Sequence, residues 1–94
     1  MSKHNFLLII EEDAEYDTLL LRERLDNCLD WSRLFANTYI LHTTSDREKL
    51  FNRFKPILGN SSFFIAEIEL QKNNYTGWLK QSTWDRIKEF KTKE

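Results

Sequence analysis

Apolar positions in this chain fall into runs at strand spacing, alternating with segments at helix spacing. Phe6-Leu7-Leu8-Ile9-Ile10 is a continuous apolar run without turn residues, the pattern of a strand covered on both faces or central in its sheet. Glu11 to Asp17 follows with five acids in seven residues, which suits a loop leading to the positive end of a helix. Spacing predicts that helix from about Tyr16 to Leu29, with Leu21, Leu25, Cys28 and Leu29 buried, Leu20 flanking, and Arg22, Glu23, Arg24 and Asp26 in water. Trp31 to Phe35 reads as an aromatic junction. Thr38 to Thr43 is β-branched and aromatic, hence a second strand. Ser45-Asp46-Arg47-Glu48 predicts a capping box opening a second helix, with Leu50, Phe51, Phe54 and Leu58 toward the core. Pro56 kinks or ends it, and Gly59-Asn60-Ser61 is the exit turn.

Phe63 to Leu70 is the clearest strand, with Phe64, Ala66, Ile68 and Leu70 on one face and Phe63, Ile65, Glu67 and Glu69 on the other. Gln71 to Asn74 is a polar turn, Tyr75 to Leu79 offers a short edge strand, and Ser82 or Thr83 caps a last helix through Phe90. Trp84, Ile87 and Phe90 face inward there, and residues 91–94 form a frayed tail. The expected fold is α+β, β-α-β-α-β(-β)-α with an antiparallel sheet, of ferredoxin-like type, in which two helices cover one sheet face. Phe63 and Ile65 then need cover on the other face, from the C-terminal segment or from a second subunit, so a homodimer is predicted.

Length and composition narrow the class. Ninety-four residues, 40% hydrophobic with thirteen aromatics, make one domain over 1–94 and exclude a multidomain enzyme. The single cysteine, Cys28, excludes an internal disulfide framework, and its place on the helix stripe reads as an inert buried thiol. The apolar run at the start is too short for a signal peptide. No stretch approaches the roughly 18 to 20 apolar residues of a membrane span, so a cytoplasmic location without membrane contact is expected. The net charge of −1 divides unevenly: residues 1–30 hold three basic and eight acidic side chains, residues 31–94 eleven and seven. Such asymmetry suits contact between copies or a local basic face.

Several residues point to chemistry. Glu11, Glu12 and Asp13 offer hard oxygen ligands for Mg²⁺, which two subunits together could complete; the plainer reading is a solubilising run beside a helix dipole. Arg47, Lys49, Arg53 and Lys55 on the second helix, joined by Lys80, Arg86, Lys88, Lys91 and Lys93 toward the C-terminus, are candidates for phosphate contact, against a plain solvated face. Trp78, with Phe63 and Ile65, is a candidate for partner binding, against closing the core. His4 and His42 lack zinc-site spacing, and Walker, GxGxxG, HExxH and GxSxG motifs are absent from the sequence.

Trp31-x-x-Leu34-x-x-x-Thr38-Tyr39-Ile40-Leu41, the helix with Leu50 and Phe54, the strand Phe64-Ile65-Ala66-Glu67-Ile68 and the ending Gly77-Trp78-Leu79-x4-Trp84 resemble the small SinR-like proteins. These are similar in fold to the small CRISPR-associated adaptation subunit and its toxin relatives. The resemblance implies a dimeric ferredoxin-like domain in a prokaryotic defence or toxin-antitoxin setting, many relatives serving as non-enzymatic structural subunits. It also implies, for the nuclease relatives, a metal-binding Asp at the end of the first strand. In this chain Glu11 or Glu12 holds that place. Three readings follow: a homodimeric assembly subunit without a cofactor, with a further protein partner as an open part of that reading; a Mg²⁺-dependent nuclease; and a regulator that binds nucleic acid without cutting it.

Overall fold

The computed structural model describes residues 3–70 and 75–92. Seven elements succeed one another: β1 (His4–Ile10), α1 (Thr18–Leu25), β2 (Asp30–Phe35), β3 (Thr38–Thr43), α2 (Arg47–Leu58), β4 (Phe63–Ile68) and α3 (Gln81–Thr92). The strands form one sheet in the order β2-β3-β1-β4, every neighbouring pair antiparallel. The α+β class is as expected, but the element order is not. Trp31 to Phe35 is a strand, hairpinned to β3 through Ala36-Asn37, and residues 75–80 carry no strand. The second finding has a packing reason: α3 and Leu70 fill the sheet face beside this segment, leaving it as a strap with Leu79 turned inward.

The pleat sorts the side chains. Phe6, Leu8 and Ile10 of β1 and Tyr39 and Leu41 of β3 meet Leu21, Leu25 and Cys28 from the α1 region and Leu50, Phe54 and Leu58 of α2 in the main core. On the opposite face Ile40 packs with Leu70, Ile87 and Phe90, and Leu7, Leu34, Ile68, Leu79 and Trp84 close around them. The sheet is therefore covered on both faces, as the unbroken apolar run of β1 requires. Burial of Phe90, fully inaccessible, removes an aromatic side chain from water and holds α3 to the sheet.

Helix ends differ from expectation by a residue or two. Asp46, not Ser45, caps α2: its carboxylate accepts from the Lys49 amide at 2.9 Å. Ser45 instead accepts from Arg53 through its hydroxyl at 2.9 Å. An ionised acceptor makes the stronger bond to an orphan amide, so the aspartate takes the cap. Pro56 lies in the last turn and α2 ends at Leu58, where Gly59 takes φ +59°, a conformation cheap only without a Cβ. Helix α1 is shorter than its pattern, capped by Asp17, and its predicted stripe is buried except Leu29, which is exposed beyond the helix end. The polar turn expected at 71–74 and the final two residues of the expected tail lie outside the described residues, and α3 continues through Thr92.

No helix among the described residues is long and apolar enough to cross a membrane.

Candidate interaction surface

The register of β4 reverses its expected faces. Phe63, Ile65 and Glu67 stand opposite Ile10, Leu8 and Phe6, so Phe63 and Ile65 pack on the α1/α2 core. Phe64, Ala66 and Ile68 share the α3 face. Both faces of this strand are apolar, so alternation separated the two sets without saying which met the helices; pairing with β1 decides it. The consequence is that Phe64, expected inside, is 62% exposed.

Helix α3 covers only part of its face. Across the sheet, Phe35, Thr38, Ile9 and Phe64 lie side by side in one row, and none of them joins the cluster under α3. Phe35 is 58% exposed at one end of this row and Phe64 lies at the other. Trp78, on the strap before α3, is 98% exposed and closes no part of the core, unlike Trp84.

On the other side of β4 an open groove of about 640 Å³ runs between the strand and α2. Arg47, Phe51 and Lys55, one turn apart along the helix, face Phe63 and Ile65 across it. Phe51, expected in the core, is half exposed here and lies 5.6 Å from the Phe63 ring, centroid to centroid. Lys55 donates to the Gly59 carbonyl at the helix end. The cations proposed on this helix do not all converge: Arg47 lines the groove, Lys49 is exposed outside it, and Arg53 turns the other way, donating to Ser45 just before α2 and lying 3.7 Å from the sulfur of Cys28 in the turn after α1. Lys55, two turns after Arg47, is the one that joins it on the groove.

The two sheet edges are unlike. At β2 the ladder bulges between Arg33 and Phe35, the Arg33 guanidinium donates to the carbonyls of Phe35 and Ala36 (3.3 and 2.8 Å), and Arg86 of α3 donates to the Trp31 carbonyl (2.8 Å) and to Asp30. These are the devices that blunt an edge. At β4, Phe63 to Ala66 carry no charge, no proline and no bulge. Because the Glu11 amide donates to the Ser62 carbonyl (2.8 Å), residues 62, 64, 66 and 68 turn their backbone groups to β1, and Phe63, Ile65 and Glu67 turn theirs outward.

Glu11, Glu12 and Asp13 are exposed at the end of β1, with Asp13 in a left-handed conformation (φ +63°), around a shallow hollow shared with Tyr16 and Asn37. Among the described residues no three His, Cys, Asp or Glu side chains come together as a metal-holding group. Cys28 is buried, and burial raises its thiol above the ordinary value, an effect that the nearby Arg53 guanidinium only partly offsets. Such a thiol is protonated at neutral pH, the opposite of an activated nucleophile. His42 is a core residue, its Nδ1 2.8 Å from Asn5 Oδ1 and its ring stacked on Phe90.

No family model, no curated protein and no solved structure matches the chain. The surface must be read on its own chemistry.

Proposed function

We propose that this protein is a homodimeric interaction or assembly subunit without catalytic chemistry of its own. Its β-α-β-β-α-β order, extended by α3, is read as a ferredoxin-like domain. The observation that carries the reading is the uncovered apolar surface of Phe35, Phe64 and Trp78 on a domain this small, where large exposed aromatics are held only at a cost in solubility. A prokaryotic defence or toxin-antitoxin setting in the cytoplasm, and any further protein partner, belong to the same proposal and rest on the resemblance alone.

The test is light scattering after gel filtration across the micromolar range. The expected mass is twice the 11.4 kDa of the chain; a monomer at every concentration overturns the reading.

A second reading has one observation in its favour. The α2/β4 groove sets two cations and one acid, Glu48, around a half-exposed aromatic, and the cation–aromatic pairing suits single-stranded nucleic acid. Binding that falls steeply with added salt and is lost in Arg47→Ala/Phe51→Ala would favour it.

A further inference from the structure

The outward-facing backbone of β4 is, among the described residues, a sheet edge that no further strand pairs with. An edge strand whose charge is confined to one end, here Glu67, and that has no proline or bulge is a template for another strand, and it is retained where pairing is the function. The contrast with β2 is within one sheet: that edge is bulged, Arg86 occupies its Trp31 carbonyl, and Arg33 folds onto the carbonyls of Phe35 and Ala36 at its end. We infer that β4 pairs antiparallel with β4 of a second copy across a two-fold axis at Ile65, joining two four-stranded sheets into one of eight. The inference rests on the homodimer reading above and names the surface that makes the dimer.

The backbone selects this register. Phe63, Ile65 and Glu67 present outward amides and carbonyls, and with Ile65 opposite itself all three form hydrogen-bonded pairs: Phe63 with Glu67 of the second copy, Ile65 with Ile65, Glu67 with Phe63. Moving the axis to Phe64 or Ala66 leaves only two such pairs within the strand. Moving it to Glu67 sets like charges opposite each other.

The side chains agree on both faces. On the helix face, Glu67 of the second copy, which within its own chain lies 2.8 Å from His4, arrives opposite Phe63 at the groove where Arg47 and Lys55 outnumber Glu48, and the two-fold repeats the match. On the α3 face the exposed Phe64 stands opposite Ala66 of the second copy, a large residue over a small one. The Phe35-Thr38-Ile9-Phe64 row then continues into the partner instead of ending in water.

The register permits a direct test. Phe64 and Ala66 of opposite chains form a non-hydrogen-bonded pair with Cα atoms about 4.5 Å apart, within disulfide reach. The full chain carrying Phe64→Cys and Ala66→Cys in a Cys28→Ser background should give a covalent dimer on mild oxidation. In a parallel variant, Ile65→Pro removes an outward amide without touching the β1 ladder. It should keep its circular dichroism spectrum while the dimer dissociation constant rises roughly ten- to hundred-fold, as the loss of two symmetric hydrogen bonds implies. A wild-type protein that stays monomeric overturns both the homodimer and this pairing. A wild-type dimer whose cysteine variant dimerises without a cross-link, or whose folded proline variant dimerises as tightly, overturns the pairing alone and moves the interface to the Phe35 row or Trp78. Should the proline variant unfold, the cross-link decides.

Discussion

Asp30 shows how much one charged side chain can be asked to do: its carboxylate meets the Arg86 guanidinium and accepts from the Trp31 amide (2.9 Å), tying α3 to the sheet edge. Cys28 and Tyr39 are buried with their protons on. Burial raises both, with Tyr16 adding to the shift of Tyr39. A group whose pKa is higher folded than unfolded contributes stability that is present below the unfolded value and lost as pH rises through the folded one. These two groups therefore leave stability unchanged from neutral pH to about pH 8 and lower it as pH rises past the ordinary values of 9.0 for the thiol and 10.0 for the phenol. Urea midpoints measured from neutral to alkaline pH check this, and Cys28→Ala should give a shallower fall over the first part of that range. The type of chemistry was legible here, since a lone cysteine on a helix stripe is a buried thiol. Its neighbour Arg53 was not, because contact between α1 and α2 depends on both helices meeting one sheet face.

At the scale of elements, local signals located most of the chain and missed one strand. Thr38–Thr43 falls where its β-branched residues place it. Trp31–Phe35 alternates weakly, with Arg33 interrupting the apolar positions, and its Ala36-Asn37 turn lacks the glycine that marks a tight hairpin. The turn is held instead by β1: the Asn37 side-chain amide donates to the Ile10 carbonyl (2.8 Å) and the Ile10 amide to the Asn37 carbonyl (2.9 Å). Helix α2 offers a clean contrast between local and tertiary contributions. Asp46→Ala should cost about 1 kcal/mol by loss of the cap. Phe54→Ala, at a side chain with no exposed surface, should cost about 3 to 5 kcal/mol by opening a cavity under both helices. Thermal or urea unfolding of the two variants measures the difference, and comparable losses would mean that α2 is not the clamp of the main core.

For the whole molecule, the fold presents one blunted and one open sheet edge, and an apolar row that α3 stops short of. The pairing of β4 predicts a pattern in hydrogen exchange. Amides of Phe64, Ala66 and Ile68 face β1 and should exchange slowly at every concentration. Those of Phe63, Ile65 and Glu67 should exchange fast in dilute solution and become protected as concentration rises, measured residue by residue by NMR. Uniform protection along the strand at low concentration would contradict an open edge.

Periodicity and capping are local properties of the chain, and they were enough for the α+β class, the three helices, three of the four strands among the described residues and an inward α3 carrying Ile87 and Phe90. The sequence also marked β4 as a strand apolar on both faces. Only the tertiary structure decided which face of β4 meets the helices, that Phe51 and Lys55 flank a groove while Arg53 turns away, and that Phe64 and Trp78 remain in water. Those outcomes depend on strand register and on how far α3 reaches across the sheet, and both are set by contacts between residues far apart in the chain.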